Sequence, residues 1–352
     1  MQNKKQSSLL GLKAALGGFA LALAMVLSLA LGAAAPAAAA TASKQSANKP
    51  AKEARPSKAS KGQRAGKRSP RKVKVVVPAM PSFGHLYGLQ AAGDELALKS
   101  SVALVVDQDT NEVLFSKNPG AVLPIASITK LMTALVVTES ALPMDEMLVV
   151  SQDDVDATAG SRSRLKLGTQ LTRGEMLHLS LMSSENRAAH VLGRSYPGGM
   201  QQFVLAMNGK AQNLGMQATK YVEPTGLSSF NQSSAQDLTR LVRAAFEHPI
   251  IRDLSTSLQA AVPVGNKTVQ FRNTNGLVRN PEWEIGLQKT GYISAAGRCL
   301  VMQTQLAGRK LIMVLLDSAG KYSRIGDAER IRSWMAAAPV AAEVATTAVQ
   351  PR

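Results

Sequence analysis

Cysteine is all but missing: Cys299 stands alone among 352 residues. No disulfide can close within the chain, so a scaffold stapled by disulfides is excluded and apolar packing must hold the fold. Cys299, with Leu300 and Val301 beside it, is expected to pack in a strand rather than to act as a thiol. Histidine is scarce as well. His85, His178, His190 and His248 form no H-E-x-x-H, so a zinc hydrolase of that type has no ligand set. No internal repeat is visible. Two further absences concern charge. From Ala14 to Ala40 no charged residue occurs, and across residues 41–74 Glu53 is the only acid against twelve Lys/Arg.

The uncharged run follows Lys4, Lys5 and Lys13 and ends in GAAAPAAAATA, with A-x-A patterns at Ala38–Ala40 and Ala40–Ala42. Residues 1–42 therefore read as a secretory signal peptide, or as an uncleaved anchor, since the run is long enough to span a bilayer. Either reading exports the rest of the chain. The net charge of +17 then resolves into parts. Without the leader and residues 41–74, 26 basic residues face 23 acidic ones. Residues 43–76, rich in Ala, Ser, Lys and Pro, bury too little apolar surface to fold and are expected to form a disordered basic linker. It is a solvated tether or an electrostatic attachment to anionic lipid or wall polymer. Export argues against nucleic acid as its partner.

What remains, residues 77–337, is long enough for one substantial domain; residues 338–352 read as a flexible tail. VALVVD (Val102–Asp107) and VLFS (Val113–Ser116) flank QDTNE as a hairpin of buried strands. From Met144 to Phe246 the pattern is mostly helical, clearest in EMLHLSLMS (Glu175–Ser183) and QDLTRLVRAAF (Gln236–Phe246). After Lys289 strands return: CLVMQTQL and KLIMVLLD flank Ala307-Gly308-Arg309, and a helix at about Ile325–Met335 closes the domain. Strands at both ends around a helical middle predict an α+β domain, its sheet assembled from distant segments, with a helical lobe and a cleft between.

Three short motifs carry chemistry. PIASITKLMTALVV (Pro124–Val137) is apolar at helical spacing, with Pro124 placed as a helix start. Lys130 interrupts that face three residues after Ser127, on the same side of the helix. A serine is a weak nucleophile until a base takes its proton, and a lysine serves only if burial or a nearby cation keeps it neutral. S-x-x-K occurs five times, also at Ser46/Lys49, Ser69/Lys72, Ser163/Lys166 and Ser318/Lys321, but only Ser127/Lys130 opens an apolar helix. A lysine snorkelling from a core helix is the plainer alternative. The second motif, Ser184-Glu185-Asn186, falls between two helical runs, where Ser184 either faces a cleft or caps a helix. The third, Lys289-Thr290-Gly291 with Tyr292 after it, offers a cation, a hydroxyl and a close-approach glycine to a carboxylate. The Lys289 cation is also expected to help keep Lys130 neutral.

The ordered set S-x-x-K, S-x-N, K-T-G is far more specific than its parts; with S-D-N in second place it marks class A β-lactamases and penicillin-binding proteins. From about Ala92 to Met335 the chain resembles a low-molecular-mass penicillin-binding protein of the serine D-alanyl-D-alanine peptidase family. PIASITKLMTA, LMSSENRAA, EPTGL, FRNTN and KTG resemble its endopeptidase subgroup. The resemblance implies a β-lactamase/DD-peptidase-like fold, an antiparallel sheet flanked by helices. It implies that Ser127 is acylated with Lys130 as base, and that Ser184 and Asn186 relay protons and hold the substrate amide. Lys289, Thr290 and Gly291 would form the carboxylate-binding edge, and the backbone N–H groups of Ser127 and Tyr292 the oxyanion hole. Glu185 receives no role, and neither metal nor organic cofactor is expected. No E-x-x-L-N follows Asn186, so the water-directing glutamate of class A β-lactamases is missing and a long-lived β-lactam adduct is expected.

The expected function is hydrolysis of D-Ala–diaminopimelate cross-links in peptidoglycan, in the periplasm or at the membrane, with β-lactams as covalent inhibitors. A D-alanyl-D-alanine carboxypeptidase and a non-catalytic wall tether acting through the basic linker are the alternatives. About 60 residues follow Lys289, too few for the closing hairpin and helix plus the second β domain and C-terminal membrane helix familiar in related carboxypeptidases.

Overall fold

The computed structural model describes residues 80–337. The expected leader (1–42), basic linker (43–76) and tail (338–352) lie outside the described residues, as do residues 77–79. Five strands, β1 (Ser100–Asp107), β2 (Val113–Lys117), β3 (Glu284–Ile293), β4 (Gly297–Leu306) and β5 (Arg309–Ser318), form one antiparallel sheet in the order β2-β1-β5-β4-β3. Side chains alternate between its faces. Val102, Leu104, Val301 and Val314 enter one core, while Ala103, Val105, Met302 and Met313 enter another. With both faces covered, β1 is buried at every position, which is why its centre, Val102–Val106, reads as an unbroken apolar run. The expected β4–β5 turn of three residues is two: Ala307 and Gly308 both have positive φ, the geometry that suits strand twist, and Leu306 pairs with Arg309.

Among the described residues seven helices have eight or more residues: α1 (Thr129–Glu139), α2 (Arg173–Met182), α3 (Asn186–Arg194), α4 (Gly199–Asn213), α5 (Ala235–Phe246), α6 (Pro249–Thr256) and α7 (Ser323–Ala337). α7 sends Ala328, Ile331 and Met335 into the core on one face. It is fixed to the start of β1 by Asp327, whose carboxylate accepts from Lys99 N, Ser100 N and Ser100 Oγ at 3.0, 2.8 and 2.6 Å. α5 covers the opposite face. α1 is the axis of the helical lobe; Thr129 to Val137 are all buried, and α2, α3, α4 and α5 pack around it. A helix apolar all round belongs inside.

Two features depart from expectation. Helix α1 does not start at Pro124. Leu123–Pro124 forms a short strand against Gln232–Ser233, and a 3₁₀ turn, Ala126–Ile128, precedes Thr129. Ala126 has φ +47°, a left-handed backbone through which an α-helix cannot be continued back to Pro124. A hairpin of Gln259–Val264 with Lys267–Arg272 also stands where no strand was anticipated; Pro263 within it masks the pattern.

Candidate active site

The lobe and the sheet meet at Ser127. The residue sits on the 3₁₀ turn, and the helix that follows carries Lys130 back beneath it, with Nζ 3.0 Å from Ser127 Oγ. Lys130 is fully buried. It also donates to Asn186 Oδ1 at 2.7 Å and to the Thr225 carbonyl at 2.5 Å. Burial lowers its pKa to about 7, against the pull of the Glu223 and Glu185 carboxylates.

Ser184 and Asn186 arrive from the junction of α2 and α3. Ser184 is not a helix cap: Glu185 holds the N-cap position of α3, and Ser184 has φ +60°. That left-handed backbone costs about 1–3 kcal/mol in a non-glycine residue, and it leaves the hydroxyl accepting from Lys289 Nζ at 3.0 Å. Lys289 and Thr290 are buried on β3, which packs on the Ala126–Ile128 turn. Gly291 makes that packing feasible. A β-carbon there would lie 3.0 Å from Ile125 O and 3.1 Å from Ser127 N. Tyr292, next along β3, is half exposed. All eight expected site residues thus converge, although Ser127 and Lys289 are far apart in sequence.

The matches with known proteins follow the same segment. A family model described as D-alanyl-D-alanine carboxypeptidase, peptidase family S11, matches residues 89–320. A D-alanyl-D-alanine endopeptidase of Pseudomonas aeruginosa is 50% identical over 70% of this chain and 80% of its own length. One from Escherichia coli is 44% identical over 74% and 85%. The chain belongs to the S11 family of serine D-alanyl-D-alanine peptidases. Among solved structures, the Streptomyces K15 DD-transpeptidase superposes with a TM-score of 0.63 at 26% identity, covering 68% of this chain and 98% of that one.

Further residues pack around this S11 site, some of them inside the sequence motifs and one outside any motif. Glu223 of EPTGL accepts from Thr225 N, Thr225 Oγ1, Gly226 N and Asn231 Nδ2 at 2.6–2.7 Å, folding the loop that presents the Thr225 carbonyl to Lys130. Gly226, at φ +81°, lies so close to the Ala126 carbonyl that a β-carbon would overlap it. Thr274 of FRNTN lies 2.6 Å, Oγ1 to Oγ1, from Thr290. Arg324, at the start of α7, donates to the Gly291 carbonyl at 2.9 Å; no local motif announces it. Lys289 has a pKa well below its ordinary value through burial, then through Lys130 and Arg324. Burial is the leading cause at both lysines, and the Lys130–Lys289 repulsion, which is mutual, disfavours both being charged at once.

A loop, Ser161–Lys166, lies over the S-x-N junction. Ser163 Oγ donates to Glu185 Oε2 at 2.6 Å, Arg164 N to Glu185 Oε1 at 3.0 Å, and Arg187 Nη1 to the Leu165 carbonyl. The residues on either side of Asn186 thus hold the loop. The short helix before it, Gln152–Ala157, is tied to α3 by Asp154, a buried carboxylate 2.7 Å from His190 Nδ1 and 2.9 Å from Arg194 Nη2. Among the described residues, no group of three or more His, Cys, Asp or Glu is gathered as a metal ion would need.

Proposed function

We propose that the protein is an exported serine DD-endopeptidase that hydrolyses D-Ala–diaminopimelate cross-links of peptidoglycan through an acyl-enzyme on Ser127. The observation that carries this reading is the pairing of Lys130 Nζ with Ser127 Oγ and Asn186 Oδ1, at 3.0 and 2.7 Å, beside the Lys289–Ser184 pair. The names of the Pseudomonas and Escherichia relatives support the choice of endopeptidase.

In this reading neutral Lys130 takes the Ser127 proton as Oγ attacks the D-alanine carbonyl carbon. The oxyanion is held by the N–H groups of Ser127 and Tyr292, each such donor typically stabilising the transition state by about 2.7–4 kcal/mol. As the C–N bond breaks, the proton on Lys130 is relayed through the Ser184 hydroxyl to the leaving nitrogen, which leaves Lys130 neutral again, with Asn186 holding the substrate amide. The carboxylate of the leaving residue rests on Lys289 and Thr290, along the edge that Gly291 brings close. That anion favours the charged form of Lys289, whose pKa is depressed in its absence. Water then cleaves the ester and returns the proton to Ser127. β-Lactams would occupy the same serine covalently.

Digestion of defined muropeptides tests the reading. The wild type is expected to convert cross-linked dimers to monomers faster than it releases D-alanine from pentapeptide monomers. Ser127→Ala should lose both activities and all labelling by fluorescent penicillin. Rapid D-alanine release with dimers left intact would make the protein a carboxypeptidase. Labelling that persists in Ser127→Ala would displace the nucleophile.

A further inference from the structure

Ser184 lies on the wall of a cavity whose other lining residues take no part in the chemistry at Ser127. The cavity encloses about 590 Å³ between the Ser161–Arg164 segment and the Ser183–Glu185 junction, within the size range of ligand sites. Arg162, Arg164 and Arg187 line it against a single acid, Glu185. Glu185 is occupied by Ser163 and the Arg164 backbone. Arg164 is occupied too, stacked 3.8 Å over the Phe271 ring and donating to the Gln270 carbonyl at 2.6 Å. Arg187 gives Nη1 to Leu165, but its Nε is buried with no hydrogen-bond partner. Arg162 is exposed and pairs with no carboxylate among the described residues. Two guanidinium groups therefore have donors to spare, and guanidinium suits carboxylates.

The position of the cavity gives that charge a use. Ser184 is on its wall, and Ser184 Oγ is 3.0 Å from Lys289 Nζ. Lys289 is the group that takes the carboxylate of the leaving residue in the reaction above. A leaving group longer than one residue must continue beyond that carboxylate, and the cavity adjoins the Ser184–Lys289 pair that would hold it. We infer that this cavity receives the second, carboxylate-bearing peptide of a cross-linked substrate, with Arg162 and Arg187 as specificity-determining residues. The inference rests on the endopeptidase reading.

The test compares Arg162→Gln and Arg162→Lys with the wild type on three substrates: a cross-linked dimer, the same dimer with the carboxylates of its second peptide amidated except the one that rests on Lys289, and a pentapeptide monomer. Arg162→Gln should raise KM for the free-acid dimer about tenfold, the equivalent of one charge-assisted contact. Its kcat and its monomer kinetics should hold, and Arg162→Lys should recover most of the loss. Amidation should cost the wild type a similar factor and Arg162→Gln little. Labelling by fluorescent penicillin at the wild-type rate confirms that the variant is folded. A KM that rises equally for dimer and monomer, or that ignores amidation, overturns the assignment of the cavity. Failure of the wild type to cut any dimer would instead overturn the endopeptidase reading.

Discussion

Two serine–lysine pairs meet at this site with the same separation, 3.0 Å from Nζ to Oγ, and with both lysines fully buried. They are built differently. Ser127 and Lys130 lie within one turn of chain, so helical geometry alone brings them together. Ser184 and Lys289 are 105 residues apart, and their contact depends on a helix junction meeting the sheet at the right register of β3 against β4. Their surroundings differ too. Lys130 has two further acceptors, Asn186 and Thr225, and two carboxylates near enough to raise its pKa; Lys289 has one further acceptor, the Thr290 carbonyl, and two cations pressing on it. The first pair is arranged for a lysine that exchanges a proton. The second is arranged for one whose charge is called up by an anion.

The sharpest way to break that distinction is to remove each lysine. Lys130→Ala should slow acylation by penicillin about 10²–10⁴-fold, the usual loss on removing a general base, in a protein that still unfolds cooperatively. Lys289→Ala should instead act mainly through binding, raising the penicillin concentration needed for half-maximal acylation more than it lowers the limiting rate. If both variants lose the limiting rate equally, the two pairs are not functionally distinct. If Lys130→Ala fails to fold, Lys130 is a structural lysine.

The same contrast explains what could be read from sequence. Ser127/Lys130 was legible because an ammonium in an apolar helical face is a local anomaly. The other described S-x-x-K pairs bear this out: Lys166 and Lys321 are exposed, while Ser163 bonds Glu185 and Ser318 bonds Ser323. The buried strands and their hairpins were legible for the same reason, as apolar runs bounded by turns. Ser184/Lys289 was visible only through the ordered motif set, because strand register leaves no local mark. Thr274 and Arg324 were invisible as participants, since they bond Thr290 and the Gly291 carbonyl, groups 16 and 33 residues away, and Glu223 because it reaches Lys130 only through the Thr225 loop that it folds. The start of α1 was misplaced because proline at a helix start and proline in a short edge strand look alike until the left-handed Ala126 is seen.

A pH profile sharpens the comparison further. Lys130, with its pKa lowered to about 7, must lose its proton to act, so acylation should rise with pH through that value. Lys289 must hold a proton to attract a carboxylate, so apparent affinity should fall as rising pH removes that proton. Together they give a bell-shaped rate profile at subsaturating penicillin. Lys289→Ala should flatten the alkaline limb and leave the acid limb. Loss of the acid limb in that variant would mean that the titrations had been assigned the wrong way round.

The smallest expected effect concerns the carboxylates that oppose burial at Lys130. Glu223 is a poor probe, because its carboxylate accepts the hydrogen bonds that fold the Thr225 loop, and glutamine would present donors to donors there. Glu185 is cleaner. Glutamine at 185 can still accept from Arg164 N, and the Ser163 hydroxyl can turn to accept where it now donates. Glu185 raises the Lys130 pKa, so removing its charge favours the neutral amine, and the acid limb of the acylation profile should move to lower pH in Glu185→Gln. The plateau above the midpoint should stay, because the base is then neutral in both proteins. Acylation time courses across the acid limb, run at low ionic strength to limit screening, measure the displacement. A midpoint that moves upward or stays fixed would mean that burial alone sets the proton affinity of Lys130, and that Glu185 serves only to hold the Ser161–Lys166 loop.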